Sequence, residues 1–264
     1  MKKLLVIDLD GTLLTDNKKI TEKARNSLRK AQEKGVEVCI ATGRDFNSAK
    51  HFPIRFDLRF HMICSNGAMI KDPFSLRELF RLSVDTKDVK EVLKYALEID
   101  TLLHIFTEHD WYISKVAHSA INYGRSNNLT YKMIQDIENW EELDIIKMVV
   151  VDTPEKIDML EEWVKNRGLA INLVRSDSRS IDLTHKNASK GNAVKWLSKY
   201  LGIEKENIIA IGNYYNDIDM FKVANIGVAM NNSPDLVKKE ADYVTKSNED
   251  DGVALFIDKY ILNL

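Results

Sequence analysis

The sequence predicts an α/β fold class: a Rossmann-like parallel-sheet core with an inserted α+β cap domain. Three observations point there. Both ends of the chain alternate short, nearly continuous apolar strands with amphipathic helices, the pattern of a parallel sheet covered on both faces. The middle changes rhythm to helices followed by paired strands at hairpin spacing, as in an α+β unit. The loops after the core strands are polar and glycine-bearing, and ligands gather outside the carboxyl ends of strands in open α/β sheets. The expected boundaries put residues 1–81 and 186–264 in the core and residues 82–185 in the cap.

The elements follow in order. KLLVID is a short apolar strand. TEKARNSLRKAQEKG has helical periodicity, with Thr21 as N-cap and Gly35 as its stop. VEVCIAT is a second strand. DFNSAKHF starts a helix that Pro53 should close. HMICSNGAMI is a third strand running into a glycine turn. In the middle, TKDVKEVLKYALEID is a helix, TLLHIFT and DWYIS are strands around a polar turn, and KVAHSAINYGRS is helical. IIKMVVVDT is a strong strand, PEKIDMLEEWVKNRG a helix with Pro154 at its start, and AINLVRS with SIDLTH a hairpin. The core rhythm then returns: helix SKGNAVKWLSKYLG, strand NIIAIGN, helix NDIDMFKVA, strand NIGVAM, helix SPDLVKKEA, strand DYVTKS and a last helix, DGVALFIDKYI.

Composition narrows the function class. The 264 residues are 44% hydrophobic and 30% charged, enough for two modest cores. Lys plus Arg number 38 against 40 Asp plus Glu, a formal charge of −2, which argues against nucleic acid as the main partner. Cys39 and Cys64 lie in apolar runs and read as buried small side chains. No apolar run approaches the ~18 residues of a membrane span. The opening MKKLLVI is broken by Asp8 before it resembles a leader, so a cytoplasmic monomer or homodimer is expected. The six histidines show no metal spacing, and Ser65 reads as a turn residue because no His or acid pattern supports it as a nucleophile.

The first strand raises the functional question, because it delivers two carboxylates, Asp8 and Asp10, into a turn where they repel each other. The other core strands supply companions at their ends: Thr42, Gly43 and Arg44; Ser65, Asn66 and Gly67; Gly212, Asn213, Asn216 and Asp217. Lys190 opens a helix beside them. Carboxylates, hydroxyls, amides and an ammonium on one rim suit phosphoryl transfer. A hard divalent cation such as magnesium takes oxygen ligands and lets Asp8 approach an anionic phosphoryl group as nucleophile. Asp10 can protonate the leaving oxygen and later activate water. Thr42 with nearby N–H groups can hold phosphate oxygens, and Lys190 can neutralise developing charge.

The segments DLDGTLL, ATGR, SNGA, SKG and GNYYND, in this order, resemble the haloacid dehalogenase (HAD) superfamily, and in particular the Cof-type phosphatases, whose cap lies between the second and third motifs. The resemblance covers nearly the whole chain. It implies a Mg2+-dependent phosphatase acting on a small phosphorylated metabolite, a sugar phosphate or phosphorylated cofactor, through an aspartyl-phosphate. It implies Asp8 as nucleophile and metal ligand, and Asp10 as acid/base with its carbonyl on the metal. Leu9, Thr42, Gly43, Lys190 and Asn216 would bind phosphate. Asp217 and Arg44 would support these groups. By position alone, Asn66 at a strand end, Trp111 on a cap strand and Asp182 just before the third motif are candidate substrate contacts, with core packing the default for Trp111. A phosphomutase, or a weakly catalytic phosphate-ligand binder, is the alternative. One position departs from the family pattern: Asn213 stands where a metal-binding Asp is usual. An amide oxygen can ligate magnesium but brings no charge, and a lost charge–charge term at a few ångströms is on the order of 4 kcal/mol before relaxation.

Overall fold

A computed structural model describes residues 2–136 and 139–264. The chain divides into two compact units. The first comprises residues up to Arg44, Lys50–Phe80 and Ser189–Leu264; the second comprises Asp45–Ala49 and Arg81–Ala188. The short segment 45–49, which the sequence places in the core, therefore clusters with the inserted unit. Among the described residues no helix is long and apolar enough to cross a membrane.

The first unit is built on a sheet that, among the described residues, has eight strands. The central strand, Lys3–Asp8, lies between Val36–Ala41 and Ile208–Gly212, both parallel to it. Leu4 through Ile7 have no exposed surface, which is why the run is continuously apolar and not alternating. From Lys3–Asp8 the chain builds outward on one side through Val36–Ala41 and His61–Cys64. On the other side Ile226–Ala229 and Tyr243–Val244 follow Ile208–Gly212. The strand order thus reverses beside Lys3–Asp8, a topological switch point whose carboxyl end is the expected ligand crevice.

Two local rules were overridden. The third strand runs into a turn at its glycine, as expected, but two of the turn's left-handed residues are not glycine. The strand stops at Cys64, and Met69–Lys71 returns antiparallel to it. The reversal is made by successive left-handed residues, Ser65 at φ 51°, Asn66 at 54° and Gly67 at 95°. Pro53 does not end its helix either; His51–Phe56 includes it, because in the first turn its missing N–H has no intrahelical partner to lose. The strands Glu78–Arg81 and Tyr131–Met133 were not expected; both are short and only half buried, without a strong apolar signal.

The second unit is a sheet ordered 171–177, 180–185, 147–151, 102–106, 111–113, 131–133. All neighbours are antiparallel except the last pair. Helices Thr86–Glu98 and Pro154–Arg167 pack on one face. Their buried stripes are Val89, Val92 and Ala96, and Ile157, Leu160 and Val164, at the spacing of a single helix face. They meet Leu103, Ile105, Met148, Val150, Ile181 and Leu183 from the strands. Asp85 caps the first helix by accepting from Lys87 N–H, and Gly168 at φ 62° ends the second. Alternation sends His104, Phe106, Lys147, Asp182 and Thr184 to the opposite face.

Candidate active site

Asp8 is the last residue of the central strand and is buried, 6% exposed. Lys190 begins the helix Lys190–Leu201, whose N-cap Ser189 accepts from Asn192 N–H at 3.1 Å. That cap fixes where the helix starts and so where the lysine stem begins. Lys190 Nζ donates to Asp8 Oδ1 at 2.7 Å and to Asp217 Oδ1 at 2.6 Å, inside the fold. The other oxygen of Asp217 accepts from the main-chain N–H groups of Asn213 and Tyr214, at 2.8 and 2.9 Å. The fully buried Asp217 carboxylate is thus satisfied on both oxygens. Its close approach requires a glycine at 212, where an added Cβ would meet the Asp217 side chain at 2.5 Å.

The electrostatics follow from burial and pairing. Burial pushes the Asp8 carboxyl up to about 7, and Lys190 opposes it. Burial works to lower the pKa of Lys190, but Asp217 and Asp8 outweigh it and hold it above the ordinary lysine value. Asp10 is in a different situation. Arg44 grips it with two hydrogen bonds, Nε to Oδ2 at 2.6 Å and Nη2 to Oδ1 at 2.8 Å, and Lys18 Nζ adds another at 2.8 Å. Partial burial acts to raise Asp10, yet the bonds and charges of Arg44 and Lys18 win and bring it down to about 2.

Thr42 lies just beyond the second strand, where its Oγ1 accepts from Arg44 N–H at 3.1 Å. Asn66 Oδ1 accepts from Asn216 Nδ2 at 2.9 Å, tying two loops together. The left-handed turn at 65–67 makes this possible and is anchored by Asn66 N–H on the Thr42 carbonyl, 3.1 Å. Leu9 is fully buried. Trp111 and Asp182 are residues of the second unit. Trp111 donates from Nε1 to His104 Nδ1 at 3.0 Å within a cluster that includes Phe106 and Tyr123. Beside it is a cavity of about 300 Å³ that Asp45, Asn47 and Lys132 also line. Asp182 forms a buried ion pair with Lys147 at 2.7 Å.

Asn213 completes the rim of the first unit. Its Oδ1 accepts from Thr12 Oγ1 at 3.1 Å. Turned through a half rotation, its nitrogen takes that place, and its two N–H groups face three acceptors, Thr12 Oγ1 at 3.1 Å, Asp8 Oδ2 at 3.2 Å and the Asp10 carbonyl at 3.1 Å. An Asp8 carboxylate oxygen, a main-chain carbonyl and the amide of Asn213 therefore converge. With Oδ1 turned inward they form an all-oxygen set, which fits magnesium. Among the described residues no three His, Cys, Asp or Glu side chains gather to hold a metal, in keeping with a set that includes an amide and a carbonyl. Two contributors were not singled out from the sequence, Lys18 on Asp10 and Asn232, whose Nδ2 donates to the Gly11 carbonyl at 2.9 Å. Neither lies in a run that distinguishes it from ordinary surface polar residues.

A buried aspartate–lysine–aspartate chain at the switch point of an open parallel sheet, with an inserted α+β unit, defines a class of α/β hydrolase. The chain matches the haloacid dehalogenase-like hydrolase family over residues 5–257, and it belongs to that family. It is 32% identical to 5-amino-6-(5-phospho-D-ribitylamino)uracil phosphatase YcsE of Bacillus subtilis over 261 residues, covering 98% of this chain and 96% of that one. Phosphatase YwpJ of the same organism is 30% identical over 281 residues, covering 96% and 97%. A solved haloacid dehalogenase-like hydrolase from B. subtilis superposes with a TM-score of 0.87 at 27% identity, covering 98% of this chain and 99% of that one.

Proposed function

We propose that this enzyme is a magnesium-dependent phosphatase that hydrolyses a small phosphomonoester through an acyl phosphate on Asp8. The observation that carries the reading is the fully buried Lys190 ammonium held between Asp8 and Asp217 at the sheet's carboxyl rim. A fold gains little from burying three charges in this way, whereas a nucleophile facing an anionic phosphoryl group needs a fixed cation beside it.

In this reading Asp8 attacks phosphorus as the ester P–O bond breaks, and the leaving oxygen takes its proton from Asp10, protonated once it has loosened from Arg44. Lys190 neutralises charge on the phosphoryl oxygens, and Asp217 holds the ammonium in place. Thr42, Asn216 and the N–H groups of the adjoining loops receive phosphate oxygens. Asp10 then takes a proton from the water that cleaves the acyl phosphate. The paired Arg44 and Lys18 keep Asp10 ionised, which suits this basic role; delivering a proton to the leaving group requires Asp10 to loosen from Arg44. Asp8, the Asp10 carbonyl and Asn213 Oδ1 would hold magnesium, which when bound supplies positive charge that keeps Asp8 ionised and draws in the phosphate.

The second unit serves as the specificity cap, restricting substrates to small molecules. The resemblance to a phosphatase named for a phosphorylated ribitylamino-uracil supports a phosphorylated sugar, polyol or cofactor as the substrate class. The test is phosphate release from a panel of phosphorylated metabolites with magnesium, run beside Asp8→Asn. Release that depends on Asp8 supports the reading; equal release by the variant, or isomerised product with no free phosphate, rejects it.

A further inference from the structure

We infer that Asp219 is a positioning residue for Lys190: it holds the main chain at the root of the lysine while Asp217 holds the ammonium at its tip. The inference rests on the phosphatase reading above and extends it to a carboxylate which that reading leaves without a role.

A lysine joins its backbone to its charge through a flexible four-carbon stem, so a fixed ammonium needs both ends of that stem fixed. Asp217 takes the tip, where its Oδ1 accepts from Lys190 Nζ at 2.6 Å. Two residues on, Asp219 lies in the first turn of the helix Ile218–Val223. Its Oδ2 accepts from the main-chain N–H of Gly191, the residue after Lys190, at 2.9 Å. The segment 217–219 thus holds the lysine twice. The first N–H groups of a helix have no partner within it. In Lys190–Leu201, Ser189 Oγ serves Asn192 N–H and Asp219 serves Gly191 N–H. A carboxylate also suits the positive end of the helix dipole.

The main chain is close-packed around this contact. A Cβ at Gly191 would meet the Asp219 carbonyl oxygen at 2.5 Å, so the helix start lies directly on the backbone at 219. A Cβ at Gly67 would run into the Ser189 carbonyl. The backbone at 189–191 is therefore wedged between the turn at 65–67 and residue 219. Further along, Ala193, Val194 and Leu197 join Met220, Phe221 and Ala224 in one apolar cluster, which holds the two helices together whatever stands at 219. The second oxygen of Asp219, Oδ1, is buried without a hydrogen-bond partner among the described residues. A polar atom left in that state costs stability. Helix pairing alone does not call for a carboxylate here, because Ser189 caps the helix and the apolar cluster joins it to its neighbour. What the carboxylate adds is a fixed starting point for Lys190.

The test is steady-state phosphate release at saturating magnesium by the full chain and by its variants Asp219→Ala and Asp219→Asn, beside Asp8→Asn. Asparagine keeps an oxygen that can accept from Gly191 N–H, and alanine does not. In D219A kcat should fall by about tenfold with KM little changed, because Lys190 is displaced from charge that develops in the transition state. In D219N most of that loss should be recovered, although losing the charge at the helix start lowers Tm in both variants. A purely structural role predicts a lower Tm in both with kcat of the folded enzyme unchanged in both. An unchanged kcat in folded D219A, or a D219N as slow as D219A, overturns the inference. If D219A does not fold, Asp219→Glu takes its place, since it keeps the charge but carries the acceptor one methylene further out. A lowered kcat with native KM in that variant then supports the inference, and a native kcat overturns it. Release that D8N abolishes and D219A leaves intact removes this inference only. Release that survives in D8N removes the phosphatase reading as well.

Discussion

Each unit of the molecule hides a lysine among carboxylates, and the two do so differently. In the first, Lys190 meets Asp8 and Asp217 at the ends of strands, and Asp217 is braced by two main-chain N–H groups. In the second, Lys147 meets Asp182 in the middle of two strands, diagonal on one face of the sheet. Two neighbours on that face, His104 Nε2 and Thr184 Oγ1, are buried with no hydrogen-bond partner among the described residues. Trp111 already donates to His104 Nδ1, so Nε2 carries the ring proton. Burial, aided by Lys147, lowers His104 to about 4 and keeps the ring neutral. Buried ion pairs are weak evidence for stability in either place. What separates the two is support: strand ends offer free N–H groups and turns, whereas mid-strand backbone is committed to its ladder. A buried charge cluster at the ends of strands with backbone donors is therefore the stronger mark of chemistry.

The largest expected effect falls on the first cluster. Asp8→Asn should reduce phosphate release by on the order of 10⁴-fold, since the nucleophile is removed. Stability should move the other way. The folded-state pKa of Asp8, about 7, lies above its ordinary 3.8. The folded protein therefore holds this proton more tightly than the unfolded chain does between those values, and stability declines as pH rises through that window. Asn cannot ionise, so urea melts at pH 5 and pH 8 should converge in the variant relative to the native protein. Retained turnover, or an unchanged pH slope, would break the distinction between a catalytic and a structural cluster.

The second cluster should respond in stability first. Lys147→Met leaves Asp182 buried with its lysine partner gone and should cost about 3 to 5 kcal/mol by urea denaturation. Lys147→Met with Asp182→Leu should recover most of that loss, because well-packed apolar residues commonly replace a buried pair without penalty. No such double replacement exists for Lys190 and Asp8 without loss of turnover. If the Lys147 and Asp182 pair behaved the same way, the two clusters would share a functional role.

The same contrast explains what the sequence made legible. The core and its rim could be read because each core strand is a short apolar run ending in a polar loop, so a list of strand ends is nearly a list of the site. Asp8, Asp10, Arg44, Lys190, Asn213 and Asp217 do meet in the first unit. Lys147 was hidden because IIKMVVVDT reads as a strand with one polar interruption, and nothing local says which strand it will face. Asp182 was singled out for its place before the third motif, but its partner lies 35 residues earlier in the chain. The turn at Ser65–Gly67 was half legible: glycine signals a turn, but two left-handed residues before it do not follow from composition.

A smaller effect concerns Asp10. Its folded-state pKa, about 2, lies below the ordinary 3.8, so its pairing with Arg44 and Lys18 stabilises the fold above the higher value and is lost as pH falls toward the lower one. Solvent reaches its edge, and after screening the contribution is roughly 1 to 2 kcal/mol. Arg44→Met should shift the acid-denaturation midpoint upward, and in a pH–rate profile it should raise the limb set by Asp10. An unchanged acid midpoint would show that Lys18 alone holds the carboxylate.

The smallest effect probes the unpaired atoms that set the second cluster apart. Thr184 is fully buried on the strand Ser180–His185, directly opposite Lys147, and its hydroxyl has no partner among the described residues. A buried hydroxyl without a hydrogen bond carries a desolvation penalty that no contact offsets. Thr184→Val removes it at nearly the same shape and should stabilise the protein by up to about 1 kcal/mol, read as a rise in the urea midpoint with an unchanged denaturant slope. If the face has only a structural role, KM for the best substrate will stay where it is. A rise in KM together with the gain in stability would mean that this hydroxyl is left unsatisfied by the protein because a ligand satisfies it. The Lys147 cluster would then resemble the Lys190 cluster in purpose, though not in construction.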